Sequence, residues 1–391
     1  MSALMTAKKL GREAILEKVK EADLYTYGLK REAFADYVQK AVTSTAIDAG
    51  LDNADTDGIL LNLLRENPVR VFEGMGIAAY LIETKEITLY LPEAEKVLAD
   101  KLKEIAAQYQ IEIVNDIIDV RKSQEHLFLH MVTALELADI AEDNYESGVY
   151  VSVDQKTLQK VKNDTGISEL VSMDGAKALW MGYRYFTPEE ATEKTAVEAS
   201  NAVIEVLTDN NCMVQETLKR LKQFRNVSCG KCVFCREGLI QLEYMQKEIT
   251  AAHGKMDYLD LTQEIGNAMC HSTLCSIGQE SAKAALDATT KYREEYETHI
   301  KKSKCQAHVC ASFEHIYIDP QLCIGCGECM DVCPADCIEG KPNYIHMIDE
   351  FDCTKCGKCI EACGEAAIIQ TAGKLPKLPN LLTKAGKFRK H

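Results

Sequence analysis

Cys323-Ile-Gly-Cys326-Gly-Glu-Cys329-Met-Asp-Val-Cys333-Pro334 and Cys353-Thr-Lys-Cys356-Gly-Lys-Cys359-Ile-Glu-Ala-Cys363 decide how the C-terminal part of this chain folds. A cubane iron–sulfur cluster needs four thiolates, and a C-x-x-C-x-x-C turn wraps three of them around one cube. The fourth comes from the other run, so the two cubes are laced together. The spacing assigns Cys323, Cys326, Cys329 and Cys363 to one [4Fe–4S] cluster. It assigns Cys353, Cys356, Cys359 and Cys333 to the other. Pairs of C-x-x-C also hold zinc, but eight cysteines in this interlocked order favour cubes.

The segment 314–371 resembles a bacterial-type two-cluster ferredoxin domain. It departs from that family at Gly364, where proline usually follows the last cysteine; glycine still permits the turn. An α+β fold around the two clusters is what the resemblance implies.

The rest of the composition narrows the field. At 391 residues the chain has room for two or three domains. Its net charge of −15 argues against a nucleic-acid partner, whose phosphates demand a basic footprint. No apolar run approaches the ~18 residues of a membrane span. The stretch Leu127–Ile140, broken by His130, Glu136 and Asp139, reads as an amphipathic helix. No signal peptide is evident at the N-terminus, so a cytoplasmic setting is expected. Seventeen cysteines then speak for metal ligation rather than disulfides. The stretch Lys374–His391 carries six Lys or Arg and no acid. It reads as a solvated tail or as a strand that docks on an acidic partner.

A second signature lies upstream. Residues 228–238 read Ser-Cys229-Gly-Lys-Cys232-Val-Phe-Cys235-Arg-Glu-Gly238, and Ser-Thr-Leu-Cys275-Ser-Ile-Gly278 follows forty residues after Cys235. This resembles the cluster-binding helical domain of the flavin-bearing F subunit of complex I, the NADH:quinone oxidoreductase. It is equally similar to the B subunit of electron-bifurcating [FeFe] hydrogenases. The resemblance implies a third [4Fe–4S] cluster on Cys229, Cys232, Cys235 and Cys275. Leu239–Ile249 and Ser281–Ile300, rich in Ala, Leu, Glu and Lys without Pro or internal Gly, read as helices around it. The hydrogenase B subunit also carries a C-terminal two-cluster ferredoxin, so the resemblance extends to layout.

Five cysteines remain: Cys212, Cys270, Cys305, Cys310 and Cys337. Cys305 and Cys310 with a nearby histidine have a spacing suited to zinc, and the hydrogenase family has a similar segment. The expected site is a structural zinc on Cys270, His299, Cys305 and Cys310, with His271 and His308 as rival nitrogen donors. Free buried thiols with surface histidines are the alternative. Cys212 and Cys337 read as ordinary buried thiols packing as small hydrophobes.

In the front half, Asn53-Ala-Asp55-Thr56-Asp-Gly58 and Glu73-Gly74-Met resemble the N-A-D-E and E-G-M segments of the same flavin subunits. Strands at Glu86–Leu91 and Ile111–Val114 around a helix at Glu93–Gln108 suggest an α/β unit. The family's glycine-rich flavin-phosphate loop, G-R-G-G-A-G-F-P, is replaced by Gly28-Leu29-Lys30-Arg31-Glu32-Ala33-Phe34-Ala35-Asp36. The bare amides that cradle a phosphate are gone, and Glu32 and Asp36 would repel one. The later nicotinamide-side segment survives only as the remnant Glu146-Ser-Gly148-Val-Tyr150. The family acid after N-A-D is Thr56 here, so three replaced elements in all point to a domain kept for its shape, with FMN not retained. Trp180, the one tryptophan, reads as core.

The expected architecture is therefore a degenerate FMN-binding-type α/β domain (1–200), an all-α iron–sulfur helical bundle (201–300), a zinc linker (301–313), a two-cluster ferredoxin-like domain (314–371) and a basic tail (372–391). The expected function is that of an iron–sulfur electron-transfer subunit in a multi-subunit cytoplasmic flavin oxidoreductase of anaerobic metabolism, with electron bifurcation left open. It would relay single electrons between a partner flavoprotein and a ferredoxin or second catalytic subunit, without a catalytic site of its own. Two other readings stand beside it: a self-contained FMN-dependent NADH dehydrogenase subunit, and an iron–sulfur scaffold or redox sensor.

Overall fold

The computed structural model describes residues 2–41, 43–122, 125–153, 155–372 and 375–388. They form two compact units. The first comprises Met1–Asp209, Thr217–Glu243 and Leu261–Lys291; the second comprises Asn210–Glu216, Tyr244–Asp260 and Tyr292–His391. The residues expected to make a separate helical domain, 201–300, are thus divided between the two.

In the first unit a parallel sheet is built from β1 (Ala46–Gly50), β2 (Glu86–Leu91), β3 (Ile111–Asn115) and β4 (His126–His130), in the order β3-β2-β1-β4. All five residues of β1 are buried, as a central parallel strand covered on both faces must be. The helix Pro68–Ile82 starts with proline, whose missing N–H is no loss at a first turn. It packs on the helix Met131–Ala141 so closely that a methyl on Gly74 would fall 1.6 Å from the Ala134 carbonyl oxygen.

The stretch Leu127–Ile140 is not a single amphipathic helix. Its first four residues belong to β4, and the helix begins only after His130, whose side chain caps it by accepting from the Val132 amide. That helix is buried nearly all round, so its scattered polar residues do not mark a solvent face.

A second, antiparallel sheet joins Ala176–Met181 to Arg184–Phe186 and Ile204–Thr208. Trp180 lies in its core with the Arg220 guanidinium over its ring. Later segments of the chain are tied to this part. Arg184 grips Asp287 through two hydrogen bonds of 2.9 and 2.6 Å, and Arg220 pairs with Glu205. These ties explain why Thr217–Glu243 and Leu261–Lys291 fold with the front half.

In the second unit Glu314–Ile318 pairs antiparallel with Ile368–Ala372, and Ile338–Glu339 with Met347–Ile348. Two short helices, Glu328–Asp331 and Lys358–Ala362, each start from a glycine at positive φ, Gly327 at 94° and Gly357 at 77°. The two cysteine runs thus have the same local fold. The basic tail, over the residues described, folds back on its own chain. Ile345 donates to the Thr383 carbonyl at 2.9 Å and Ala385 to the Asn343 carbonyl at 3.0 Å. Lys374, Arg389, Lys390 and His391 lie outside the described residues.

Candidate iron–sulfur and metal sites

The eight cysteines of the C-terminal runs line two cavities, four ligand candidates to each. One is lined by Cys333, Cys353, Cys356 and Cys359 together with Pro334, Ile338 and Ile348. The other is lined by Cys323, Cys326, Cys329 and Cys363 together with Ile318, Ile324 and Ile368. The fourth thiol of each comes from the opposite run, the same division that the spacing gives. The donors and the apolar walls suit cubane clusters, which thiolates hold and burial tunes. Backbone amides already point at the sulfurs: Ala367 donates to Cys363 Sγ at 3.3 Å and Lys355 to Cys353 Sγ at 3.4 Å.

In the first unit Cys229, Cys232, Cys235 and Cys275 converge. Cys229 and Cys232 lie close enough to raise the pKa of both Cys235 and Cys275, after burial has done so. Cys275 sits at the N-cap of the short helix Ser276–Ser281. Burial pushes its thiol up, while the amides of Gly278 and Ile277 hold it down. Gly278 has no room for a side chain, since a methyl there would lie 2.5 Å from Thr273 Cβ. Ser228 Oγ takes the Gly230 amide at 3.4 Å and lies 3.5 Å from Cys235 Sγ, so its own proton is free for that sulfur. Ser276, next to Cys275, accepts the Ala54 amide at 3.0 Å. The Asn53-Ala54-Asp55 segment therefore supports the fourth thiol of this set.

A further set lies in the second unit: Cys212, His299, Cys305 and Cys310, all buried, with donor atoms within 4.8 Å of one another. Zn–S bonds of about 2.3 Å and a Zn–N bond of about 2.0–2.1 Å in a tetrahedron require S···S edges of about 3.8 Å and S···N edges of about 3.5 Å. The structure has 3.7 Å between Cys310 and Cys212, and 3.6 and 3.2 Å from those sulfurs to His299 Nε2. His299 Nδ1 lies 2.8 Å from the Glu295 carbonyl, which fixes the ring with Nε2 left free for a metal. Hydrogen bonds from Cys212 and Cys310 hold the Cys305 thiol well below its ordinary pKa, so the cage favours a thiolate.

Cys212 stands here in the place expected of Cys270. Cys270 lies on the helix Asp257–Ser272, and its Sγ donates to the Gln279 carbonyl at 3.2 Å. Of the rival histidines, His308 faces Glu314 at 2.9 Å, and His271 is exposed at the end of its helix. Cys212 escaped the spacing argument because it lies 87 residues before His299 with no cysteine near it in sequence. Cys337, the other leftover thiol, is buried as expected but lines the Cys333 cavity.

The loop of residues 28–36, expected to stand where the resembled flavin subunits cradle a phosphate, has its Leu29 amide already taken. The Leu29 amide donates to Asp52 Oδ2 at 2.8 Å, and a methyl on Gly28 would meet that oxygen at 2.3 Å. The chain's own carboxylate thus closes the loop. Glu32, expected to repel a phosphate, pairs instead with Lys40 at 2.6 Å. Asn53 is spent on both backbone groups of Ile118, at 2.9 Å each, and Asp55 on the Gly58 amide.

Residues 215–299 match the NADH-ubiquinone oxidoreductase-F iron-sulfur binding region, and residues 315–364 match the 4Fe-4S dicluster domain. Among curated relatives, the NADP-reducing hydrogenase subunit HndC of Solidesulfovibrio fructosivorans is 35% identical over 141 residues, 36% of this chain and 29% of that protein. An NADH-quinone oxidoreductase F subunit (F 2) of Rhizobium meliloti is 30% identical over 108 residues, 28% of this chain and 26% of that one. The matched segments therefore span less than a third of these relatives. In three dimensions the chain is similar to a crystal structure of an NAD+-reducing [NiFe]-hydrogenase, with a TM-score of 0.62 at 17% identity. That likeness covers 77% of this chain and 65% of the other, and it shows the fold. The chain carries two iron–sulfur-binding regions, and the first is of the kind found in the F subunits of NADH oxidoreductases. No helix among the described residues is long and apolar enough to cross a membrane.

Proposed function

We propose that the chain is an electron-relay subunit holding three [4Fe–4S] clusters and one structural zinc, in a complex whose flavin belongs to a partner. The observation that carries this reading is the sorting of the eight C-terminal cysteines into two cavities of four. The third set, Cys229, Cys232, Cys235 and Cys275, supports a cluster upstream. When bound, such clusters take up and release electrons one at a time, over a wide range of potentials. The chain's part is to supply the thiolates, to aim backbone amides and the Ser228 hydroxyl at their sulfurs, and to keep water off them with isoleucines. The zinc would sit on Cys212, His299, Cys305 and Cys310 and hold the start of the Met213–Val227 helix to the Arg293–Lys302 helix. In that arrangement Glu295 Oε1 already accepts the Met213 amide at 3.0 Å.

The front fold keeps the shape of a flavin domain, closed by Asp52, and uses its Asn53–Asp55 loop to support Cys275. Hydride or substrate chemistry then falls to a flavoprotein partner, and a ferredoxin or second catalytic subunit takes the far end of the relay. Iron and sulfide analysis of anaerobically prepared chain tests the reading. About twelve of each are expected, and Cys232→Ala should remove about four irons while the ferredoxin-like signals persist. Eight irons or fewer in the parent chain would remove the upstream cluster.

A further inference from the structure

The cavity of Cys333, Cys353, Cys356 and Cys359 holds a fifth thiol. Cys337 lines the same cavity, is 5% exposed, and places its Sγ 3.5 Å from Cys333 Sγ. A cube takes four thiolates, so under the three-cluster reading one sulfur in this cavity is surplus, and any role for it rests on that reading.

The other half of the domain provides an internal comparison. Cys333 and Cys363 occupy the same place in the two runs. Each lies within two residues of the end of a short helix, Glu328–Asp331 or Lys358–Ala362, and each is followed three residues later by a residue at positive φ, Asp336 at 50° and Ala366 at 48°. In each, that residue's amide bonds the carbonyl of its cysteine. One residue further on stands Cys337 in the first half and Ala367 in the second. Ala367 is 1% exposed and lines the cavity of Cys323, Cys326, Cys329 and Cys363. A methyl group therefore suffices at this position to complete the fold. The first half carries a sulfur there that packing does not require, four residues from one ligand candidate and beside it in space.

We propose that Cys337 is a reserve ligand for the cluster of the Cys333 cavity, able to take the coordination position of Cys333. In the exchange the iron–sulfur bond to Cys333 breaks and one to Cys337 forms, and the proton given up by the Cys337 thiol is taken up by the released Cys333 thiolate. No electron is transferred, and the ligand count stays at four. Among the described residues, no fifth cysteine lines the cavity of Cys323, Cys326, Cys329 and Cys363. The two cubes therefore differ in their tolerance of damage to a ligand.

Iron per chain, with the paramagnetic resonance spectrum of the reduced protein, tests this on anaerobically prepared full-length chain. Cys333→Ala is expected to keep its iron with an altered spectrum. Cys333→Ala/Cys337→Ala and Cys363→Ala should each lose about four irons. Cys337→Ala, which copies the natural Ala367, should fold and keep its full complement. If Cys333→Ala alone loses as much iron as the double variant, the reserve role is overturned. It is equally overturned if the double variant loses none, or if Cys337→Ala alone loses a cube. Retention of all iron by Cys363→Ala would instead overturn the ligand assignment beneath the proposal. In the forward direction, Ala367→Cys should rescue the iron lost in Cys363→Ala.

Discussion

Replacing Cys212 by alanine removes one donor from a cage whose other three, His299, Cys305 and Cys310, belong to the same compact unit. Structural zinc sites contribute an apparent 10–16 kcal/mol or so in small peptides at neutral pH, and four equal shares come to about 2.5–4 kcal/mol per ligand. That is about two to three orders of magnitude in affinity. Because the observed S···S and S···N separations already match a tetrahedral site, little rearrangement energy offsets the loss. The assay is zinc per chain during competition with a chromophoric chelator, run on the parent, Cys212→Ala and Cys270→Ala. The parent should hold one zinc, and Cys212→Ala should surrender it at ~100-fold weaker chelation or more. Cys270→Ala, which removes only a thiol bonded to the Gln279 carbonyl, should behave as the parent. If Cys212→Ala retains its zinc as tightly as the parent, or Cys270→Ala releases it, the geometric reasoning is wrong.

Other outcomes depend on single contacts. Ser228→Ala should leave the iron content unchanged but lower the potential of the upstream cluster, because the hydroxyl aimed at Cys235 Sγ favours the more negative, reduced state. A bond worth about 1 kcal/mol between the two redox states corresponds to roughly 40 mV for one electron, and Ser228→Thr should restore it; unchanged potentiometric curves would count against the contact. Burial pushes the Asp55 carboxyl up to about 8, so the folded chain keeps a proton that the unfolded chain releases from about pH 4 upward. Stability from this group is therefore full below pH ~4 and lost as the pH rises towards 8. Asp55→Asn should gain on the parent over that window, by up to about 1.4 kcal/mol per pH unit, and a melting-temperature difference that stays flat with pH would contradict it. The isolated chain should bind neither FMN nor NADH and should not reduce dyes with NADH; stoichiometric flavin absorbance after reconstitution would restore the dehydrogenase reading.

What the sequence disclosed depended on how local each signal is. The C-x-x-C-x-x-C turns carry their geometry within a dozen residues, and the two cavities divide the cysteines as the spacing does. Strands β2 and β3 were legible from apolar alternation between turn residues. Strand β4 was not, because Leu127-Phe-Leu reads equally well as the start of the helix that follows His130. Cys212 was illegible for another reason: a ligand far along the chain from its partners leaves no periodicity or motif behind, and only the fold brings it near His299. Asp52 is illegible for the same reason: its carboxylate reaches the loop of residues 28–36 from beyond the end of β1, and no local pattern links the two.

That carboxylate has a bearing on how such a chain can be maintained in a cell. A loop shaped by a dissociable ligand is only as well ordered as its supply, and with the ligand absent its amides compete for water in a half-buried place. Here the acceptor for the Leu29 amide is encoded in the gene and delivered at synthesis, in one-to-one ratio and without a dissociation constant. Under the proposed reading, in which the flavin belongs to a partner, the loop before Asn53–Asp55, and with it the seat of Cys275, is uncoupled from flavin supply. On that same reading iron and sulfide are the nutrients whose scarcity the fold would register.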